Sequence, residues 1–319
     1  MVKIIGPGLS LSAKGSIGKT LTFQKRPSGH AIYPYSKPGS REPFESSPKQ
    51  KDQRGIIGLI TARWQCMTPA QKQVWEDEAK TIGFQGSGYH LFLHTAQKDL
   101  TKYLGLVGYW SFNYNVGDKV LDLSGKGNHG TLKPTYPSDC PLFKDSINKK
   151  FGKCLSFDGV NDYVRVPYNS VFDLTTKLTI EAWVKRGSGG DDEQLYIGRA
   201  WQYFMSFWLK IIKATNKVQF SFATWPWTEY IVTSNGTIPI GERCHIAVTF
   251  DKPNFHFYIN GKDDGLKNFN YTLPITSVVL FLGAHLNTFY FQGSLDEVRL
   301  YNRALGADEI LKLFQLFCR

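Results

Sequence analysis

The segment Asp122-Leu123-Ser124-Gly125-Lys126-Gly127-Asn128-His129-Gly130 sets a carboxylate, a hydroxyl and an amide among glycines. Oxygen donors on a flexible loop are what a hard cation such as Ca2+ needs. The same residues also suit a plain turn, because Asp and Asn side chains satisfy neighbouring backbone N–H groups. A second acidic turn, Asp158-Gly159-Val160-Asn161-Asp162, offers the same two roles, and here the tight turn is favoured. His90 and His94 stand four apart on a helical pattern, as a metal pair would, but lack a third ligand nearby, which points to packing. The stretch Ala13-Lys14-Gly15-Ser16-Ile17-Gly18-Lys19-Thr20 comes close to a phosphate loop. It has Ala13 where that loop needs Gly, and it runs into an alternating strand pattern instead of a helix, which excludes nucleotide hydrolysis. Cys66, Cys140, Cys154, Cys244 and Cys318 form no C-x-x-C pair and read as thiols packed as small hydrophobes. Cys140 and Cys154 bracket a loop that a bridge would close in an oxidising setting.

Two further groups have chemistry of a softer kind. Aromatic residues crowd the region from Trp201 to Tyr230, and sugars stack their apolar C–H faces on such rings. Alternation assigns Trp208, Phe220 and Phe222 to packing between sheets. Trp225-Pro226-Trp227 breaks the alternation, so Trp225, Trp227 and the nearby Tyr230 are the candidate ligand contacts, burial against a neighbouring subunit being the competing reading. The second group is basic. Residues 1–104 carry 15 Lys and Arg against 7 Asp and Glu, and residues 1–41 carry seven cations with no acid at all. Within this arm Lys14, Lys19, Lys25 and Arg26 are the candidate docking residues for an acidic partner, with nucleic acid a candidate only through the arm.

The elements that must position these residues divide the 319-residue chain in two. Residues 1–103 predict a small α+β unit: Gly- and Pro-punctuated strands forming a hairpin, a connector over 36–51, then helices. Thr68-Pro69-Ala70-Gln71 supplies an N-cap, a proline at the first helical position and a capping-box Gln for a helix that ends before Gly83. Residues 104–319 predict an all-β antiparallel sandwich with a short C-terminal helix, from period-2 alternation with turn residues every 8 to 12 positions. No run reaches the roughly 20 apolar residues of a membrane span. The N-terminus lacks the apolar core of a secretory signal, so synthesis in a cytoplasm is expected.

Residues 5–95, with their Gly-Lys hairpin, Trp64-Gln65-Cys66-Met67-Thr68-Pro69 and Gly86-Ser87-Gly88-Tyr89-His90, resemble small phage and prophage proteins. Residues 106–312 are similar to the laminin-G-like, concanavalin A-like jelly-roll family. The blocks are Gly108-Tyr109-Trp110, the Asp122–Gly130 loop, Phe157-Asp158-Gly159, Glu181-Ala182-Trp183, His245 to Asp251, Phe257 to Gly261 and Gly293 to Leu305. The resemblance implies that the first of these loops lies near the strand start at Asp296, so Asp122, Asn128 and Asp296 are the candidate ligands of a structural Ca2+. Glycosidases of this sandwich carry alternating carboxylates, one to protonate and one to attack. The acidic runs Glu76-Asp77-Glu78 and Asp191-Asp192-Glu193 are consecutive and read as solvated charge, so no enzyme is expected.

Together these readings predict a virion-associated structural or decoration protein, made in the host cytoplasm. It would be a homo-oligomer docked on a major capsid or tail protein, with an outward sandwich that binds host-surface glycans. The alternative is a non-viral adhesin, or an accessory module of a secreted glycan-active enzyme.

Overall fold

The computed structural model describes residues 21–26, 29–34, 61, 64–65, 69–92, 104–113, 115–135, 138–146, 152–201, 204–224, 228–285 and 289–316. The chain divides into two compact units, Met1–Asp99 and Leu100–Arg319. The smaller one contains β1 (Leu21–Arg26) and β2 (Gly29–Pro34), antiparallel with Leu21 opposite Pro34, and helix α1 (Pro69–Thr81). The proline-initiated helix is thus where capping predicts it. Rings of Trp64, Tyr89, Phe92 and Trp75 pack together at centroid distances of 5.2–5.5 Å. Gly88 allows this closeness, because a Cβ there would lie 2.4 Å from the Glu76 nitrogen. His90 Nδ1 lies 2.9 Å from Ser87 Oγ, a local turn hydrogen bond, while His94 lies outside the described residues. So do Lys14, Lys19 and the whole Ala13–Thr20 stretch; Lys25 and Arg26 end β1.

The larger unit begins with β3 (Leu106–Trp110), β4 (Asn115–Val116), β5 (Lys119–Val120), β6 (Gly130–Lys133), β7 (Leu142–Asp145), β8 (Lys153–Asp158) and β9 (Tyr163–Val166). It continues through β10 (Lys177–Arg186), β11 (Glu193–Trp201), β12 (Phe204–Ile212), β13 (Lys217–Thr224), β14 (Thr228–Thr237), β15 (Arg243–Asp251), β16 (Asn254–Ile259) and β17 (Lys262–Asn268). Last come β18 (Leu280–Leu282), β19 (Ala284–His285), β20 (Phe289–Tyr290), β21 (Gln292–Tyr301) and helix α2 (Ala307–Gln315). Among the described residues these form two large antiparallel sheets and a separate β19-β20 pair. An eight-stranded one runs β17-β16-β15-β10-β21-β8-β7, with β3 also on β21; a nine-stranded one runs β14-β13-β12-β11-β18-β9-β6-β5-β4.

Period-2 alternation builds the core between them. Leu178, Ile180, Ala182 and Val184 of β10 and Phe207, Leu209 and Ile211 of β12 belong to one buried cluster, with Phe220 and Phe222 of β13. Fully burying such side chains contributes about 1.5–3 kcal/mol each. On the far side of the eight-stranded sheet, Ile310 and Leu313 of α2 bury Tyr109, Tyr258 and Tyr301 in a second cluster. Helix α2 starts where Glu309 accepts from the Gly306 N–H at 3.0 Å and pairs with Arg303 at 2.7 Å. Among the described residues no helix is long and apolar enough to cross a membrane.

Candidate functional site

Trp208, assigned to packing between the sheets, instead lies outside the inter-sheet core. Phe207 and Trp208 are adjacent, and the register with core residues gives Phe207 the inward place. Trp208 therefore faces out of the nine-stranded sheet, 3% exposed and packed with Ala223 and Phe289. Its neighbour across the ladder is Gly198, where a Cβ would stand 2.6 Å from the Trp208 Cβ. Glycine is thus required for the indole to lie over β11. The Lys210 ammonium sits 5.8 Å from the Trp208 ring centroid and 3.5 Å from the Glu229 carboxylate. On the same face, Tyr163 and Phe281 meet at 5.8 Å. Half-buried Tyr290 adjoins Tyr163, and its phenol is pushed up by burial and by the Tyr163 and Asp191 charges. This outer face joins flat rings to charged and hydroxyl groups.

Tyr230 points the other way. It is half-buried on the core, its ring stacked on Phe222 at 4.9 Å and meeting Tyr271 at 4.3 Å. Trp225 and Trp227 lie outside the described residues, between Thr224 and Thr228, which pair across β13 and β14. Asp191, expected to be solvated, is half-buried and accepts the Tyr290 N–H at 2.6 Å, so it anchors β20.

The Asp122–Gly130 loop closes on itself. Asp122 Oδ1 accepts from the N–H groups of Tyr109 (2.9 Å) and Ser124 (2.8 Å), and Oδ2 accepts from Ser124 Oγ and the Asn128 N–H, both at 2.8 Å. Four donors occupy the roughly four lone-pair positions a carboxylate offers. The Asn128 amide is likewise used, donating to the Val107 carbonyl and accepting from Asn169, both at 2.8 Å. Asp296 is engaged elsewhere, with Ser146 Oγ and Arg243 Nη2 each 3.0 Å from Oδ2. Burial and the Glu297 charge push its carboxyl well above the usual range, against Arg243. The Asp122 carboxylate and the Asn128 amide are thus committed to neighbouring groups, and Asp296 is held by Ser146 and Arg243 with its Oδ1 lacking a partner among the described residues, a donor set that does not fit a Ca2+ shell around the Asp122 loop; no step is assigned to the ion.

The second acidic turn is also an Asx structure. Asp158 Oδ1 accepts the Val160 N–H, and Asp162 Oδ2 accepts the Asp158 N–H, both at 2.8 Å. Burial pushes the Asp162 carboxyl up to about 6; the Asp158 N–H opposes the rise, and the Asp158 and Asp139 charges add to it. The native chain therefore holds this proton more tightly than the unfolded one, so stability is lost as pH rises from about 4 to about 6. Asp162→Asn keeps an acceptor for the Asp158 N–H and removes that loss. Thermal unfolding at pH 7.5 should show it more stable than wild type by about 1–2 kcal/mol, with the difference gone at pH 4. Equal stability at both pH values would refute the shift.

Cys140, Cys154 and Cys244 are free and buried. Burial raises all three thiols, Cys244 to about 12. The Cys140–Cys154 bridge is not formed: the charges nearest Cys140 are Asp162 and Asp139, whereas Cys154 neighbours Asp296.

Charged residues inside the strands carry a signal that the motif reading passes over. Glu181, Arg299, Glu297 and His245 form a buried network on the outer face of the eight-stranded sheet. Arg186 and Arg199 stand in phase with core residues of β10 and β11 and are 1% and 0% exposed. An arginine at an inward position of an apolar strand is visible in the amino-acid order.

The fold is thus that of a concanavalin A-like jelly-roll sandwich. Residues 158–311 match the laminin G-type family model described as "Concanavalin A-like lectin/glucanases superfamily". Among solved structures, domain 4 of an extracellular arabinanase from Geobacillus stearothermophilus, in complex with arabinotriose, is 20% identical. It has a TM-score of 0.53 and covers 66% of this chain and 98% of its own. The binding domain of Paraclostridial Mosquitocidal Protein 1 is 18% identical, at TM-score 0.53, over 68% and 53% of the two chains. The botulinum neurotoxin serotype G binding domain is 15% identical, at TM-score 0.52, over 66% and 51%. The chain spans about half the length of these two binding domains. No curated protein matches it in sequence.

Proposed function

We propose that the sandwich is a glycan-binding module. The observation that carries this reading is the outer face of the nine-stranded sheet, where Tyr163, Tyr290 and Phe289 stand half-buried and Lys210 and Glu229 pair next to Trp208. Rings supply a flat apolar surface for sugar C–H groups, and hydroxyls and charges at the margin orient the sugar's hydroxyls. The fold shared with a domain solved with arabinotriose supports it. Binding without hydrolysis is the expected activity, since Glu181, on the opposite sheet, is committed to Arg299 and His245.

The double variant Tyr163→Ala, Tyr290→Ala should lose at least about tenfold in affinity on a glycan array, which corresponds to about 1.4 kcal/mol. Its unfolding midpoint should fall by only a few degrees. Unchanged binding would move the site off this face, with Trp225→Ala and Trp227→Ala then testing the adjoining hairpin. Release of reducing sugar would overturn the non-catalytic reading.

The whole chain fits a virion-associated structural or decoration protein, made in the host cytoplasm. It would assemble as a homo-oligomer and dock through the basic arm on a major capsid or tail protein. The resemblance of residues 5–95 to phage proteins and the acid-free residues 1–41 support this. Mass spectrometry of purified particles tests it: the protein should be present at a stoichiometry fixed relative to the shell protein, and its absence would sink the virion role.

A further inference from the structure

Two arginines point into the space between the sheets, towards opposite ends of β11, and their surroundings differ. Arg199 is saturated: Nη1 donates to the Phe172 carbonyl at 2.5 Å and to Asp173 at 2.9 Å, Nη2 to the Thr276 carbonyl and Nε to the Val278 carbonyl. Arg186 is in phase with Leu178, Ile180, Ala182 and Val184 and is 1% exposed. Its Nη1 donates to Asn216 Oδ1, and among the described residues its Nε has no acceptor. No carboxylate of the described residues pairs with it, and burial alone pushes its pKa down. A guanidinium has five N–H donors and keeps its proton in a protein, so it cannot escape burial by neutralising. A buried, unpaired charge of this kind is strongly unfavourable.

The segments around Arg186 are loops from the same end of the sandwich. Gly187-Ser188-Gly189-Gly190 follows β10 directly, and the Lys213–Asn216 turn joins β12 to β13. Lys213 brings a second cation, its ammonium 2.9 Å from the Gly190 carbonyl. The Gly241 N–H holds the Arg186 carbonyl at 2.7 Å. Arg186 and Lys213 are thus the two cations on the segments that meet at this end, where Asp191 and Asp192 continue the glycine run and the Asp192 carbonyl holds the Lys213 N–H at 2.8 Å.

We propose that this end of the sandwich is an oxyanion site, in which a carboxylate, sulfate or phosphate group pairs with Arg186 and takes the place of the Asn216 amide oxygen. Two acceptor oxygens match the planar fork of the guanidinium, and a charged acceptor is a stronger partner than an amide. The acid group comes either from a free inorganic anion or from an acidic sugar. The proposal does not depend on the aromatic face, since Arg186 is in the inter-sheet phase of β10 whereas the rings stand on the outer face of the nine-stranded sheet.

The test compares unfolding midpoints of the full chain with low-millimolar sulfate and with chloride at equal ionic strength, then with a uronate oligosaccharide and its neutral reduced counterpart. Wild type should gain about 3 °C with sulfate, or with the uronate alone if the site takes only acidic sugars. Arg186→Met should lose the response. Asn216→Asp places a carboxylate beside the guanidinium at a left-handed position, φ 55°, that Asp tolerates. It should unfold several degrees above wild type without added anion and gain nothing from either probe. If Arg186→Met does not fold, the aspartate variant alone decides. An anion response equal to that of chloride, or retained in either variant, overturns the site. So does a more stable Asn216→Asp with a wild type that ignores both probes, because the unpaired charge would then be structural only.

Discussion

Arg199→Met lowers the unfolding midpoint of the larger unit by roughly 6–20 °C, at 2–4 °C per kcal/mol for a domain of this size and a loss of about 3–5 kcal/mol. Methionine restores the apolar volume, so the loss measures hydrogen bonds and charge rather than a cavity. The guanidinium ties the Ser170–Phe172 turn, through the Phe172 carbonyl and Asp173, to the segment containing Thr276 and Val278. Removing it leaves three carbonyls without their donor and Asp173, 16% exposed at its side chain, without its cation. Each stranded acceptor costs about 1–3 kcal/mol when buried. Arg199→Lys should recover little, because one ammonium cannot span acceptors on two segments. Differential scanning calorimetry decides: a shift under 2 °C for the methionine variant would mean that water replaces the arginine at no cost.

Glu181→Gln should cost a similar amount, about 3–5 kcal/mol at pH 7, and the difference from wild type should shrink in acid. Glu181 is 1% exposed at its side chain and accepts from Arg299 Nη1 at 2.6 Å, with His245 Nε2 at 3.0 Å from its other oxygen. Arg299 also pairs with Glu297, which accepts from the Tyr109 hydroxyl at 2.7 Å, and its guanidinium lies 4.3 Å from the Tyr109 ring centroid. Burial pushes the Glu181 carboxyl up, but Arg299 and His245 outweigh it and hold it below its ordinary value of 4.5. A depressed carboxylate contributes stability that is present above pH 4.5 and lost as pH falls through the lowered value. Urea titrations at pH 7 and pH 3 check this; a gap that does not narrow at pH 3 would place the cost in packing. The network lies on the face that carries α2, so the variant should loosen Leu313 and Phe314 before the inter-sheet core.

The two arginines and this network bear on how a sandwich of aromatic residues holds its loops. Inter-sheet packing is non-directional and does not specify where a loop ends. Loops at one end are fixed by four arginine contacts. At the other end the Arg186 side chain has one acceptor among the described residues, and its Nε has none there.

The sandwich was legible in the amino-acid order because its cause is local. Alternation in Lys177–Arg186 and Lys217–Thr224 makes one face apolar whatever lies opposite, and Thr68-Pro69 marks a helix start by its own backbone chemistry. The role of Asp122 was legible as a choice between a turn and a cation, because both use the same oxygens. The choice falls with Tyr109, thirteen residues away, whose N–H completes the four donors. The phase of Trp208 was not legible, since Phe207 and Trp208 are adjacent aromatics and either could face inward until β11 and β13 set the register. Pairings across 118 residues, as between Glu181 and Arg299, or across 30, as between Arg186 and Asn216, have no local signature. Side-chain period and capping are properties of a few consecutive residues. The partner of a buried charge is set by which distant strands the closed sandwich brings together.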